Sequence, residues 1–418
     1  MKVELVTIGD ELLLGFTVDS NSAHLGRVLS TIGVEVERRT TVGDDTGAII
    51  DALREALDRS GAVISTGGLG PTTDDVTRQA VATLFGRRLT PDSAIAERLR
   101  AWWVERGLPG ELPASNLAQA LVPDGAVILE NRHGTAPGLW LEDERGRWVA
   151  VLPGVPREMR GMLEEELLPL LVARTAAAGN PRTVVRSRTL RTTGIAESVL
   201  AGRLHELSRD ALAAELAYLP GANGVDLRLT VRDQSAGAAD ALLERAAALV
   251  RAAVGRYVYG EGEADLAAIV LDSYRLRGWR IAVAESCTGG MLGERLTTPA
   301  GSSDVFEGGV ISYDNRVKTR LLGVGQEMLE IHGAVSESVA RQMASGVRER
   351  LTTAVGVGIT GVAGPGGGSA SKPVGTVWIG LDVEGSVIAR LFHLVGDRTE
   401  IRQRATQAAL RMLLDASS

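Results

Sequence analysis

Ser286 and Lys318 have the residue types and spacing best suited to chemistry. Ser286 lies in Ala284-Glu285-Ser286-Cys287-Thr288-Gly289-Gly290, directly after the apolar run Ile281–Ala284. Lys318 follows 32 residues later, at the end of Ile311-Ser312-Tyr313-Asp314-Asn315-Arg316-Val317-Lys318. A serine on a tight strand-to-helix turn, followed by glycines, exposes its hydroxyl beside free backbone N–H groups. A nearby lysine of depressed pKa can take the hydroxyl proton, which is the chemistry of a Ser-Lys amidohydrolase. Lys and Arg total 45, yet lysine stands only at Lys2, Lys318 and Lys372. Arginine stays protonated to above pH ~12 and cannot act as a base, so a lysine in so arginine-rich a chain draws notice. The plain alternative is an ordinary surface lysine at a helix start. Cys287 is the rival nucleophile. A lone cysteine is often a small buried residue, and no histidine lies near it in sequence, so Ser286 ranks above it.

Other runs suit anionic ligands. Gly358-Ile359-Thr360-Gly361-Val362-Ala363-Gly364-Pro365-Gly366-Gly367-Gly368 ends a strand in a Gly-rich loop suited to an anion, or simply flexible. Arg398 and Arg402 begin the last helix and either bind phosphate or solvate its face. Tyr313 and Asn315 either orient the lysine and bind substrate or only pack a strand end. Near the N-terminus, Ser65-Thr66-Gly67-Gly68-Leu69-Gly70-Pro71-Thr72-Thr73-Asp74-Asp75 follows a strand and opens a helix. Glycines there admit a ligand to the backbone, and the helix start offers N–H groups to phosphate. It is no dinucleotide fingerprint, because Thr73 stands where the third glycine belongs, and no Gly-Lys-Ser/Thr of a Walker loop occurs. Asp74 and Asp75 read by themselves as a helix cap and a first-turn acid. Beside a phosphate, bare carboxylates repel, and a divalent ion would reconcile them. Gly9-Asp10-Glu11, Asp19-Ser20-Asn21 and Leu152-Pro153-Gly154-Val155-Pro156-Arg157-Glu158-Met159 fall at strand ends, where open α/β sheets bind ligands.

The elements that must position these groups alternate. Strands at Val3–Ile8, Glu35–Val42 and Ala62–Thr66 interleave with helices at Ser20–Ile32 and Thr46–Arg59, which implies a parallel sheet covered by helices. Further strands and a helix from Arg157 to about Ala177 follow, with Gly179-Asn180-Pro181 as punctuation. Residues 181–258 read β-α-β-β-α-β, a small split sandwich of the ferredoxin or KH kind. From about 260 the chain is α/β again. Three domains are expected: 1–178, 179–259 and 260–418. The length of 418 residues allows each its own core. With 44% hydrophobic and 23% charged residues the chain reads as soluble and globular. A net charge of −7 argues against a dedicated nucleic-acid binder, and direct nucleic-acid binding is not expected. One cysteine excludes an intrachain disulfide and a multi-cysteine zinc site. No apolar run reaches membrane-spanning length and the first ten residues are too polar for a signal peptide, so a cytoplasmic location is expected.

Together these motifs resemble the CinA family of bacterial competence/damage-inducible proteins along the whole chain. The N-terminal match is Gly9-Asp10-Glu11-Leu12-Leu13, Thr66 through Asp75, Gly134-Thr135-Ala136-Pro137-Gly138 and Pro153 through Met159. The C-terminal match is Glu285 through Gly290, Ser312-Tyr313-Asp314-Asn315 with Lys318, and Gly358 through Pro365. The resemblance implies an N-terminal molybdopterin-binding-like α/β/α domain, a KH-like connector and a C-terminal α/β/α amidase domain. It implies that the C-terminal part converts nicotinamide mononucleotide to nicotinate mononucleotide and ammonia, without a cofactor. It also implies metal-dependent ADP-ribose pyrophosphatase activity in the N-terminal part, and a homodimer.

On that basis Ser286 is the nucleophile and Lys318 its base, with Tyr313 as a further catalytic residue. N–H groups near Gly289 and Gly290 are expected to stabilise the oxyanion. Glu285, Cys287, Thr288, Asn315, Thr360, Gly361, Arg398 and Arg402 complete the substrate site. Gly67, Gly68, Gly70, Thr72, Asn21, Pro153 and Gly154 form the N-terminal pocket, with Asp74, Asp75, Asp10 and Glu158 as ligands of a divalent ion. The competing readings are a molybdopterin- or nucleotide-binding adaptor in competence with vestigial catalytic sites, and a plain Ser-Lys peptidase.

Overall fold

A computed structural model describes residues 1–177, 183–207 and 209–417. The punctuation expected at 179–181 and the domain boundary at 178/179 lie outside the described residues. The chain falls into two compact units, residues 1–186 with 231–241, and residues 187–230 with 242–418.

In the first unit the apolar runs become the middle of a six-stranded sheet. Its strands are β1 (Lys2–Ile8), β2 (Glu35–Val42), β3 (Ala62–Thr66), β6 (Val127–Leu129), β7 (Gly138–Glu142) and β8 (Trp148–Leu152), in the order β2-β1-β3-β8-β7-β6. A separate two-stranded ribbon joins β4 (Leu89–Pro91) to β5 (Leu121–Pro123). Strands β3 and β8 are apolar and wholly buried because helices cover both faces. The parallel order holds for β2, β1, β3 and β8, while β7 and β6 add an antiparallel edge. Leu25 and Leu29 pack on one face with Met159 and Leu163. Ile49 and Leu53 pack on the other with Ala80 and Val81. The parallel register sets Thr7 beside Thr66 and Thr66 beside Leu152. The loops after β1, β3 and β8 therefore leave the same edge of the sheet.

The second unit contains a five-stranded sheet and most of a four-stranded one. The four-stranded one holds β9 (Thr183–Thr192), β10 (Glu215–Gly221), β11 (Gly224–Ser235) and β12 (Val258–Glu261), in the order β10-β11-β9-β12. Helices intervene at Glu197–Leu204 and Ala236–Val254, which gives the expected β-α-β-β-α-β pattern. The five-stranded sheet runs β14-β13-β15-β16-β17, with β13 (Ile281–Glu285), β14 (Phe306–Ile311), β15 (Val355–Gly361), β16 (Thr376–Val383) and β17 (Ser386–His393). Strands β14, β13 and β15 are parallel, and β16 and β17 antiparallel.

The helices at Leu266–Arg277, Met291–Thr297 and Arg398–Ala416 bury a deep apolar layer on one face, with Val270, Tyr274, Leu296 and Leu410 among its members. The helix Glu337–Arg350 lies on the other face, almost backbone to backbone. A Cβ on Gly358 would stand 2.5 Å from the Ala340 carbonyl oxygen, and one on Gly380 would stand 2.2 Å from it. The helix Asn315–Leu322 carries Lys318, which is buried and not at the surface as the plain reading of a helix start has it. Among the described residues no helix is long and apolar enough to cross a membrane.

This close approach leaves no room for a methyl group. Gly358→Ala is expected to lower stability by about 1–3 kcal/mol, the usual cost of overpacking, read as a lower denaturation midpoint. An unchanged midpoint would show that the helix lifts freely off the sheet.

Candidate active site

Strand β13 is the middle strand of the parallel trio, and Ser286 is the first residue beyond it. The Ser286 N–H still belongs to the sheet, donating to the Ile359 carbonyl at 2.9 Å. On the other side the Ser312 N–H donates to the Glu285 carbonyl at 2.7 Å. These bonds fix the nucleophile and the start of the lysine segment on one sheet edge. Asp314 caps the helix Asn315–Leu322 by accepting the Arg316 N–H at 2.8 Å. Lys318 sits in the second turn of that helix and points back under it.

Its Nζ lies 3.1 Å from Ser286 Oγ, 2.8 Å from the Ser312 carbonyl oxygen and 3.2 Å from that of Tyr313. Lys318 is 1% exposed and Ser286 8%. Burial holds the lysine pKa below its ordinary value of 10.5, against a raising pull from Asp314. The three contacts suit an ammonium that donates to all of them, and they also suit the neutral amine that a base needs. The two carbonyls only accept, so they take its two N–H groups, and the lone pair is left for the serine hydroxyl. Cys287 is buried, and its thiol is pushed up to about 12, chiefly by burial. It is no thiolate at neutral pH.

Several sequence expectations change here. The Gly289 N–H bonds the Ser286 carbonyl at 3.1 Å and the Gly290 N–H bonds Glu285 at 3.1 Å, so neither is free for an oxyanion. Among the described residues, the N–H groups of Cys287 and Thr288 have no backbone or carboxylate acceptor. Glu285 is not placed to bind substrate. It is buried and accepts from Gly290, Leu292 and Gly293 N–H, answering the unpaired donors at the start of Met291–Thr297. Thr360 is also buried, with its hydroxyl on the Ala334 carbonyl at 2.8 Å. Gly361 ends β15 against Val377.

The Tyr313 side chain is 63% exposed and its hydroxyl accepts from Arg398 at 3.1 Å, so only its carbonyl touches Lys318. Arg398 also donates to the Gly364 carbonyl at 2.6 Å. Arg402 forks onto the Thr288 carbonyl at 3.2 and 2.8 Å, and Thr288 Oγ1 is buried without a partner. Asn315 is exposed. Arg402 thus touches the loop that carries Ser286, and Arg398 touches the segment that leads to Lys318.

In the first unit the expected loops also meet. Asn21 Nδ2 donates to the Gly154 carbonyl at 2.7 Å, and its Oδ1 is buried and unpartnered. Pro153 is buried just before it. Gly67 has φ 111°, and a Cβ there would stand 2.1 Å from the Ile8 carbonyl oxygen, so only glycine lets this loop cross the end of β1. Asp75 does not fit a metal ligand. It accepts from Gly70 N–H at 2.7 Å, from Thr72 N–H at 2.8 Å and from the Thr72 hydroxyl, so Gly70 and Thr72 brace the loop. Gly68 packs on Thr77, the first residue of the following helix. Glu158 accepts from Asn131 at 2.6 Å and backs the 131–136 loop.

Two residues here escaped the sequence reading. Asp44, just beyond β2, exchanges bonds with Asp10 at 2.9 and 3.3 Å. Its pKa is raised by burial first, then by the Asp10, Glu11 and Asp74 carboxylates. The signal available was an acid immediately after a strand end, in Val42-Gly43-Asp44. Arg78 is buried behind the loop, with its guanidinium on the Leu69 carbonyl at 2.5 Å and its pKa lowered to about 10 by burial. No three His, Cys, Asp or Glu side chains among the described residues converge as a preassembled metal centre.

Three family models match the chain. Residues 4–173 match a probable molybdopterin binding domain, residues 187–260 the KH domain of the damage-inducible protein CinA, and residues 263–417 the CinA C-terminal domain. A CinA-like protein of Gemmatimonas aurantiaca is 58% identical over 413 residues, covering 99% of this chain and 96% of that one. A CinA-like protein of Salinibacter ruber is 44% identical over 412 residues, covering 98% of each. The crystal structure of a competence/damage inducible protein from Agrobacterium tumefaciens covers 37% of this chain and 94% of its own, at 41% identity and a TM-score of 0.36. With relatives this similar along nearly its whole length, and with a molybdopterin-binding-like domain, a KH-like connector and a CinA C-terminal domain in order, the chain belongs to the CinA family.

Proposed function

We propose that the C-terminal domain hydrolyses the carboxamide of nicotinamide mononucleotide, giving nicotinate mononucleotide and ammonia. The observation that carries this reading is the buried Lys318 amine 3.1 Å from the Ser286 hydroxyl. In the proposed step Ser286 Oγ attacks the carboxamide carbon while Lys318 takes its proton. The Cys287 and Thr288 N–H groups receive the negative oxygen in place of those of Gly289 and Gly290. Lys318 returns the proton to the departing nitrogen, which leaves as ammonia. Water then attacks the ester, its proton passes through Lys318 to Ser286, and the acid is released. Arg398 and Arg402 supply positive charge for the phosphate, which favours a mononucleotide over a peptide.

Ser286→Ala is expected to abolish ammonia release at a stability cost of about 1–2 kcal/mol, the scale of one hydrogen bond, while Cys287→Ala stays active. Ammonia release by the first variant and its loss in the second would reverse the nucleophile assignment.

Lys318→Arg puts a permanent cation where the base stands, so activity should fall nearly as far as in Ser286→Ala. In the unmodified protein the base is the neutral amine, and its folded pKa lies below 10.5. The rate is therefore expected to rise with pH through that lowered pKa and to level before the range of a free lysine. A profile that is flat or falling over this range would remove Lys318 from the proton path.

For the N-terminal domain we propose metal-dependent cleavage of ADP-ribose, because Asp10 and Asp44 exchange hydrogen bonds and the Asp74 carboxylate also acts on Asp44, an acidic set that is not a preassembled metal centre and would need the pyrophosphate to complete one. A divalent ion there would supply the charge that lets these carboxylates share space with a pyrophosphate. Asp10, Asp44 and Asp74 would hold the ion, and Asp75 and Glu158 would brace the loops. EDTA is expected to stop ADP-ribose cleavage and leave ammonia release untouched. Equal inhibition of both, or of neither, would sink this division.

A further inference from the structure

The second unit holds a cleft of about 800 Å³ between one wall from the four-stranded sheet and one from β17 and the last helix. That volume falls in the range of small-molecule sites, roughly 300–1,000 Å³. We propose that it binds a phosphate-bearing anion of nucleotide size, apart from the Ser286 centre.

The last helix supplies one wall through Glu400, Arg404, Gln407, Arg411 and Asp415, whose spacing puts them on a single face. Arg402 reaches the Thr288 carbonyl from the same helix. Arg404 stands two residues on, about 200° around the helix axis, so the two arginines serve different sites.

Four arginines, Arg256, Arg390, Arg404 and Arg411, face three acids, Glu197, Glu400 and Asp415, in the cleft. Asp415 serves both Arg411 at 2.6 Å and Arg390 at 3.8 Å. Glu400 is engaged in the capping box at the start of its own helix. Arg256 lines the opposite wall over the Tyr257 ring, with no carboxylate within ion-pair distance among the described residues. Arg404 is the least satisfied. It is half-buried, has neither an ion pair nor a hydrogen bond among the described residues, and its Nε is buried without a partner. A guanidinium removed from water without an acceptor is costly unless an anion meets it.

A second observation points the same way. Gln407 lines the cleft at 3% exposure, and its amide meets the Thr193 hydroxyl at 3.2 Å with the other end unpartnered. A hydroxyl can donate or accept, so either way round one end of the amide is left over. Ile195, Phe392 and Met412 add apolar surface of the kind a planar base covers. Cations, an orphaned amide and an apolar wall in a cleft far larger than a phosphate suit a nucleoside phosphate better than a bare ion.

The test is calorimetric titration of the full-length protein with AMP and, separately, with inorganic phosphate, so no turnover is needed. AMP should bind roughly tenfold more tightly than phosphate. Arg404→Gln, and Arg256→Gln on the opposite wall, should each weaken AMP roughly tenfold, the scale of one charge-assisted bond. Arg402→Gln should leave this binding event in place. Melting curves of the variants should match that of the unmodified protein, and if Arg404→Gln melts early the Arg256→Gln result decides. AMP that does not bind, or that binds both variants undiminished, overturns the proposal. So does binding lost only in Arg402→Gln, or phosphate binding as tight as AMP.

Discussion

The C-terminal site depends on a lysine amine taken out of water and set among acceptors. Lys318 is surrounded by two main-chain carbonyls and one hydroxyl, with no carboxylate in contact. A carboxylate there would have kept it protonated. Carbonyl dipoles hold the amine in place without fixing its charge, and burial then tips it toward the neutral form. The carbonyls come from Ser312 and Tyr313, the two residues that leave β14. Ser312 is itself tied to β13 through the Glu285 carbonyl. The base is thus aligned by the same sheet that aligns the nucleophile.

Glu285 shows how charges are divided along one short segment. It immediately precedes the nucleophile, yet its carboxylate turns to the start of the following helix and accepts three N–H groups there. The acid neutralises the helix end, and the serine beside it stays free of a negative neighbour in contact. In the first unit Asp75 plays a similar part for the loop after β3. At both loops an acid that looks like a ligand in the sequence is a brace in the structure.

Much of this was legible in the sequence, for identifiable reasons. Strands β2 and β3 follow apolar or alternating runs bounded by turn residues, and their limits could be read directly. The convergence of Ser286 and Lys318 was legible because the motif pairs a rare lysine with a Gly-flanked serine. The extent of the helix that carries the lysine was not. Asn315–Leu322 is short and mostly polar, and its apolar face is only Val317, Leu321 and Leu322 around Lys318, too brief a stripe to stand out. The roles of Glu285, Gly289, Gly290 and Asp75 were misread because composition shows that a donor or acid is present, and not where its bonds already go. Asp44 escaped because its relation to Asp10 is set by the register of β1 with β2, which no local pattern encodes.

The five-stranded sheet is clad unequally, and this has a thermal meaning. On the side of Glu337–Arg350 the helix meets the strands through glycines and alanines, so little side-chain volume separates the two backbones. On the other side the helices Leu266–Arg277, Met291–Thr297 and Arg398–Ala416 enclose a thick apolar layer. The heat-capacity change of unfolding follows the apolar surface exposed. The larger share of that term must therefore arise from the thick side, and a smaller share from the cluster of Leu322, Val339, Met343 and Val347 on the thin side. The Ser286 loop and Arg402 belong to the thick side, so the temperature response of the layer behind them is that of the nucleophile's surroundings as well.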